Sequence, residues 1–156
     1  MAELDQIYNT RLLELAASMP RTARLSAPDG TGSARSRTCG SSVSVDVRMD
    51  GDRVADFGQS VKACLLGQAA AAILGREIVG STAAEIEDVA ARMRAMLKAN
   101  APPPEGRWAE LAVLEPVRDY PQRHTATLLV FEATLEAIAA AASRHREEVD
   151  RAPERT

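Results

Sequence analysis

The stretch from Ser42 to Val61 reads SVSVDVRMDGDRVADFGQSV and decides the fold. From Val43 to Val47 every second residue is valine, and this period of two is typical of a half-buried β-strand. Asp50-Gly51-Asp52 provides a turn, and the chain returns as a second predicted strand from Arg53 to Ser60. The inward-facing candidates on the returning strand are Val54 and Phe57. The stretch therefore predicts an antiparallel hairpin with one buried face.

Outside the hairpin the apolar residues recur with helical spacing. Capping and breaking residues mark helix ends: Pro20 and Gly75 as stops, and Ser81 or Thr82 as a cap with Glu85 near the capping-box position. The predicted helices are Leu4–Met19, Cys64–Gly75, a helix from Ser81 or Thr82 through Leu97, Trp108–Leu114, which Pro116 breaks, and His124–Arg146. Ala101–Gly106, with three consecutive prolines, is a linker.

These elements predict one α+β domain, residues 1–146, in which a small antiparallel sheet packs against several helices. Arg21–Thr38 is rich in Ser, Gly, Arg and Thr and is predicted to be a flexible loop. Residues 147–156 are predicted to form a charged C-terminal tail.

Composition excludes several classes of protein. A net charge of −3 and a pI of about 5.5 argue against a general nucleic-acid binder, and the basic stretch Arg21–Arg37 is interpreted as a solvated loop. We expect no membrane-spanning run and no secretory signal, and hence a cytoplasmic protein with two free thiols. No Walker loop, HExxH, CxxC or GxGxxG motif occurs, so nothing indicates an enzyme.

Three residues are candidates for metal chemistry. Cys39 lies at a loop-to-strand junction and Cys64 at a strand-to-helix junction, where a helix N-terminus stabilises a thiolate. His124 begins the last predicted helix, where the dipole favours the neutral, ligating imidazole. The alternatives are that both cysteines are small buried hydrophobic residues and that His124 is an exposed or capping residue. His145 is predicted to lie on the surface.

The order of these features resembles a known family. Cys39-Gly40, the strand–turn–strand, Cys64 at a helix start and the later VRDYPQRHTATLL are similar to the U-type iron–sulfur cluster assembly scaffolds, the IscU, SufU and NifU N-terminal type. The resemblance covers most of Leu12 to Ala142 and implies about three antiparallel strands packed against helices. It also implies an exposed site of three cysteines and an aspartate, where a cysteine desulfurase delivers sulfur and a [2Fe–2S] cluster is built for client or carrier proteins.

The chain departs from this family pattern at two positions. The resemblance assigns Cys39 and Cys64 to the first two cysteines, but the aspartate position falls on Ser41 and the third cysteine on Ala126. Three hypotheses stay open. A cluster or metal binds through Cys39, Cys64 and His124; the chain is a metal-free interaction module for a desulfurase or client; or it is a zinc-bound, SufU-like sulfur-transfer partner. The sequence leaves homo-oligomerisation open and predicts neither a nucleic-acid nor a membrane partner.

Overall fold

The computed structural model describes residues 10–37 and 40–151. Its elements follow an α–βββ–α order, with an antiparallel sheet of strand order β1-β2-β3. In chain order they are α1 (Thr10–Ala17), β1 (Gly30–Arg35), β2 (Ser42–Asp50), β3 (Arg53–Lys62), α2 (Leu65–Glu77), α3 (Ala83–Lys98), a 3₁₀ segment (Gly106–Asp119), a 3₁₀ turn (Pro121–Arg123) and α4 (His124–Arg151). The predicted α+β class with a three-stranded antiparallel sheet is confirmed.

The predicted hairpin is present with the expected faces. Val43, Val45 and Val47 are buried, and the turn contains Gly51 at φ +64°, a conformation that glycine adopts without steric cost. Val47 pairs with Phe57, and a bulge between Arg48 and Met49 shifts the register towards the turn. Helix α4 packs across β1 and β2 on this apolar face, with α2 beside it.

The prediction of a loop from Arg21 to Thr38 is wrong for Gly30–Arg35, which forms strand β1. The positions of β1 that face α4 begin with Gly30 and Gly32. The strand therefore lacks the alternation of apolar and polar residues from which a strand is predicted. A Cβ on Gly32 would lie 2.2 Å from the carbonyl oxygen of Ala133. Strand β1 therefore lies against α4 backbone to backbone, and only glycine permits that approach.

The remainder of Arg21–Thr38 covers part of the outer sheet face. Asp46 lies on the face of β2 opposite the valines, which a half-buried strand is expected to expose to solvent, yet it is 2% exposed because Arg24 binds its carboxylate at 2.6 and 2.8 Å. The Thr31 hydroxyl donates at 2.7 Å and the Leu25 N–H at 3.1 Å to the same carboxylate. The described residues just before β1 are thus packed on the outer face of the sheet around Asp46.

Several predicted helix ends need correction. Helix α2 continues past Gly75 to Glu77, and α4 continues past Arg146 to Arg151, into the predicted tail. Helix α1 begins at Thr10 among the described residues, and the part of Leu4–Met19 before it lies outside them. The cap at Thr82 is confirmed, because its hydroxyl accepts the Glu85 N–H at 3.1 Å.

The segment predicted as a short helix over Trp108–Leu114 is a longer 3₁₀ segment that includes Pro116. Its buried residues recur every third position, which matches the three residues per turn of a 3₁₀ helix. They are Trp108, Leu111, Leu114 and Val117. The exact three-residue spacing turns one face of this segment towards α2 and α3.

The expectation that no run could span a membrane also needs correction. Among the described residues, one helix has sufficient length and composition: an 18-residue window within Pro121–Asp150 has a mean hydropathy of 1.5. Of this window, 61% is buried inside the protein. Its apolar character is explained by its place as the central helix of the packed core.

Candidate functional site

The strand ends place two junctions at one end of the sheet. Arg35 pairs with Ser42, and Ser42 pairs with Lys62, so the three residues form one row across the sheet. The β1–β2 connection and the β3–α2 junction both leave from this row. The connection closes with the Ser36 N–H donating to Ser41 at 2.8 Å. Of the predicted ligands, Cys39 lies in this connection and outside the described residues.

Cys64 occupies the N-cap position of α2, as the sequence indicated. Its backbone is extended, at φ −67° and ψ 172°, and its carbonyl accepts the Gln68 N–H at 3.0 Å. The thiol is free, half-buried and makes no side-chain cap to the helix. The sulfur therefore lies at the start of a 13-residue helix and, within the part of the chain that the structure describes, makes no capping hydrogen bond that metal binding would have to break.

The first turn of α4 lies directly against the first turn of α2. A Cβ on Gly67 would lie 3.0 Å from the carbonyl oxygen of Ala126. Ala126, the position that the resemblance assigns to the third cysteine, thus contacts the turn of α2 that follows Cys64, yet it is 2% exposed. Ser41, at the aspartate position, is also buried. Neither Ala126 nor Ser41 is a metal ligand of the type that the resemblance implies.

His124 has a structural role in this fold. It is 5% exposed, and its Nε2 lies 3.1 Å from the carbonyl oxygen of Val117 and 3.2 Å from that of Arg118. Carbonyl oxygens only accept hydrogen bonds, so Nε2 carries the proton and donates. The alternative of an exposed histidine is wrong. A metal would have to bind the remaining nitrogen, Nδ1, or displace both carbonyls.

In the part of the chain that the structure describes, no three His, Cys, Asp or Glu side chains lie close enough to hold a metal ion. A metal centre at this end of the sheet would therefore need Cys39 or a ligand from outside the chain. A cavity of about 610 Å³ lies elsewhere, between the hairpin turn at Gly51 and the C-terminal half of α4. His145 lines this cavity at the surface, whereas Cys64 and His124 do not.

Sequence reasoning missed that two basic side chains, Arg35 and Lys62, lie in one row at the sheet end that carries Cys64. Arg21 and Arg24, from the predicted basic loop, are neutralised by Asp56 and Asp46. The row at the sheet end carries exposed Arg35 and Lys62, Arg37 follows in the connection, and Arg123 precedes α4. The sequence did not give the register of β1, so it did not indicate that Arg35 and Lys62 lie on either side of Ser42.

No family model matches this chain. It is 26% identical over 101 residues to the iron–sulfur cluster assembly scaffold protein IscU of Streptococcus pyogenes serotype M1, a match that covers 65% of this chain and 64% of that protein. The putative SUF-system scaffold protein FiSufU of Fervidobacterium islandicum AW-1 shares the fold, with a TM-score of 0.79, 19% identity, and coverage of 86% of this chain and 98% of that one.

A nitrogen-fixing NifU-like protein (N-terminal) from Brucella abortus is similar in both sequence and structure. The identity is 43% and the TM-score 0.88, over 90% of this chain and 98% of that one. Identity at this level across nearly a whole domain, together with the same fold, establishes common family membership. The chain belongs to the NifU/IscU-like family of iron–sulfur cluster assembly scaffold proteins.

Proposed function

We propose that this protein is a scaffold for the assembly or delivery of an iron–sulfur cluster, with Cys39 and Cys64 as thiolate ligands. The observation that carries the proposal is the position of Cys64 at the N-cap of α2, beside the start of α4 and at the sheet end from which the β1–β2 connection leaves. The cluster is the protein's cargo and is bound through sulfur, the donor that iron–sulfur clusters use.

His124 is the third ligand candidate of this proposal, through Nδ1. Its burial and its two Nε2 contacts with carbonyls hold the ring in one orientation, as hydrogen bonds to the second ring nitrogen do at many metal sites. Those same contacts link the end of the 3₁₀ segment to the start of α4. A role in the fold and a role as ligand are therefore both compatible with the contacts of this ring.

The protein would act by holding and passing on its cargo and not by catalytic turnover. In this proposal a cysteine desulfurase supplies the sulfur, client or carrier proteins receive the cluster, and the protein works in the cytoplasm without nucleic-acid or membrane partners. The net charge of −3 supports the exclusion of a general nucleic-acid binder. The burial of α4 against the sheet supports its assignment as a core helix.

A metal-free interaction module is the second candidate function. Ala126 and Ser41 favour it, as does the absence of a three-ligand group from residues 10–37 and 40–151. A zinc-bound sulfur-transfer partner is the third candidate function. Ala126 argues against it, because alanine provides no thiol at the position assigned to the third cysteine.

The test is the metal and acid-labile sulfide content of protein purified without oxygen, with a visible spectrum. Wild type, Cys39→Ser, Cys64→Ser and the double variant are compared with Ser42→Ala, which lies at the same sheet end and removes no thiol. We expect iron, sulfide and thiolate-to-iron absorption in wild type and Ser42→Ala, and their loss in the cysteine variants.

Other outcomes separate the alternatives. Equal iron loading in the double variant would exclude the ligand assignment. Zinc without sulfide would favour the zinc-bound partner. Folded protein with neither metal, even after incubation with iron and sulfide, would favour the metal-free module.

A further inference from the structure

The two outer strands of the sheet differ in how their free edges are bonded. Strands β1 and β3 are the edges, because the strand order is β1-β2-β3. Other parts of the chain close the edge of β3: the Gln59 N–H donates to the carbonyl of Arg21 at 2.9 Å, and the Val54 N–H donates to that of Ser81 at 2.9 Å. The edge of β3 is therefore already occupied.

The hydrogen-bond alternation decides which groups of β1 point away from the sheet. In an antiparallel strand, successive residues direct their N–H and C=O groups to opposite sides. The Ser36 N–H donates to Ser41 across the β1–β2 pair at 2.8 Å, so the even-numbered residues of β1 bond to β2. The outward residues are therefore Thr31, Ser33 and Arg35, and all three are exposed.

A carboxylate lies beside this outward edge. The Glu136 side chain of α4 accepts the Ser33 N–H at 3.3 Å, and its Cβ would lie 2.9 Å from a Cβ on Gly32. Among the main-chain groups that the structure describes, none closes the β1 edge as Arg21 and Ser81 close that of β3. An open row of N–H and C=O groups is a template for another strand. Strand β1 thus offers such a row with a negative charge next to it.

We propose that the free edge of β1 binds an extended segment of a partner protein that carries a lysine or arginine, and that this segment adds to the sheet as a fourth strand. Hydrogen bonds from its main chain to Thr31, Ser33 and Arg35 hold it in place, and one of its carbonyls replaces the Glu136 carboxylate at Ser33. Residues paired across a sheet project from the same face, so the side chain opposite Gly32 points towards α4. There the freed carboxylate meets the basic group, whereas the Arg35 side chain projects from the opposite face.

A second copy of the chain fits this edge less well. A Cβ on Gly30 or Gly32 would lie 2.1 or 2.2 Å from a carbonyl oxygen of α4, so α4 lies directly beneath β1. Two copies joined edge to edge would hold their β1 strands about 4.8 Å apart, with their α4 helices at a similar spacing. Packed helices need about 8–10 Å between their axes. An extended segment without a helix beneath it avoids this overlap, and the observations therefore favour it.

The probe is a short acetylated peptide in which threonine and lysine alternate, added to the whole isotope-labelled protein. Without peptide, amide hydrogen exchange should be fast at Thr31 and Arg35 and slow at Gly32 and Ala34, which bond to β2. Peptide at about ten times its Kd should slow exchange at Thr31 and Arg35 about tenfold. N-methylation of the peptide's threonines removes the N–H groups that pair with β1 and should abolish binding. N-methylation of its lysines should change the Kd less than about twofold.

Charge variants test the role of Glu136. A second peptide carries glutamine in place of lysine, and the lysine peptide should bind wild type at least about threefold more tightly. Glu136→Gln should remove this preference and leave the Kd of the glutamine peptide unchanged. Glu87→Gln is the matched control, because it removes the same charge from an exposed position of α3. It should retain the preference.

A backbone variant tests the strand pairing itself. Ser33→Pro removes an N–H that points away from β2, a position at which edge strands tolerate proline. It should weaken binding of the lysine peptide at least about fivefold, whereas Ser33→Ala keeps the N–H and should bind like wild type. If Ser33→Pro does not fold, the two N-methylated peptides decide the question, because they leave the protein unchanged.

Several results would overturn the inference, and each leaves the scaffold function standing. Equal binding of the two N-methylated peptides, or unchanged exchange at Thr31 and Arg35, would exclude strand addition. Equal affinities of wild type for the lysine and glutamine peptides would exclude a basic partner. Failure of every peptide to bind would mean that Glu136 protects the edge from pairing. Protection that rises with protein concentration in the absence of peptide would assign the edge to a second copy.

Discussion

Gly67 and Ala126 hold the starts of two helices in backbone contact at the cysteine end of the protein. A Cβ on Gly67 would lie 3.0 Å from the Ala126 carbonyl oxygen and 2.8 Å from the Cβ of Ala63. The first turns of α2 and α4 can therefore lie this close only because Gly67 has no side chain. Any change in that separation also moves the surroundings of Cys64.

Gly67→Ala should destabilise the protein by about 1–2 kcal/mol. The added methyl group contacts backbone that cannot shift without moving α4, and this packing cost exceeds the gain of up to about 1 kcal/mol in helix propensity. Urea unfolding measures the difference. Ala91→Gly, at an exposed interior position of α3, measures the propensity term alone. A Gly67→Ala variant as stable as wild type would contradict the backbone contact.

Gly32→Ala should be more damaging, with a loss of at least about 3 kcal/mol. Its Cβ would lie 2.2 Å from the Ala133 carbonyl oxygen and 2.5 Å from the Ala137 nitrogen, so α4 would have to separate from β1. Ser33→Ala, on the exposed outer face of the same strand, should cost under about 1 kcal/mol. Similar free energies of unfolding for the two variants would show that α4 does not pack closely on β1.

Asp46→Asn should cost about 2 kcal/mol at pH 7, because Asp46 is buried and accepts charge-assisted hydrogen bonds from Arg24, although the 47% exposure of the Arg24 side chain limits the gain. Asp56→Asn removes the exposed pair with Arg21 and should cost at most about 1 kcal/mol. Urea unfolding of the two variants and wild type provides the comparison. Equal losses in both variants would contradict a special role for the buried carboxylate.

The contribution of Asp46 should depend on pH in the acid range. The hydrogen bonds from Arg24 outweigh burial and, with those from Thr31 and Leu25, lower the pKa of Asp46. A lowered folded pKa adds stability that is fully present above the unfolded value of about 3.9 and is lost as the pH falls through the folded value. The stability difference between wild type and Asp46→Asn should therefore be constant from pH 5 to 7 and decrease below about pH 4. A difference that stays constant down to pH 2 would be the contrary result.

His124→Ala should cost about 2–3 kcal/mol, because it creates a cavity and removes the imidazole donor from the carbonyls of Val117 and Arg118, of which the Val117 carbonyl keeps the Tyr120 N–H. His145→Ala, at an exposed position of the same helix, should change stability by less than about 0.5 kcal/mol. Thermal and urea unfolding of metal-free protein separate this role from metal binding. Indistinguishable stabilities of the two variants would mean that the His124 hydrogen bonds contribute nothing to the fold.

Cys64→Ser should leave the metal-free protein at least as stable as wild type. Cys64 is the N-cap of α2 without a side-chain cap, and serine is a preferred N-cap residue worth up to about 1 kcal/mol. Chemical unfolding of both proteins under reducing conditions tests this. A loss above about 1 kcal/mol would show that the thiol makes a packing contribution, and the metal test would then need Cys64→Ala as well.

The sequence by itself determined the parts of the fold whose signal is local. Alternating valines from Val43 to Val47 gave the hairpin strand and its buried face, and the Thr82–Glu85 pair gave the start of α3. The change from a strand pattern to a helix pattern placed Cys64 at the N-terminus of α2, where it is the N-cap residue. In each case the pattern arises from burial or capping within a few neighbouring residues, which a single sequence records directly.

Only the tertiary structure decided the features that depend on pairing between distant residues. Strand β1 was missed because Gly30 and Gly32 pack by backbone approach to α4, which leaves no apolar pattern. Asp46 was expected to face solvent because its partner, Arg24, lies in a segment without regular structure. His124 finds its two carbonyl acceptors in the preceding 3₁₀ segment, and only the strand register places Arg35 and Lys62 on either side of Ser42. Composition and periodicity record which residues avoid water, whereas the contacts that create this site are set by the approach of backbones far apart in the chain.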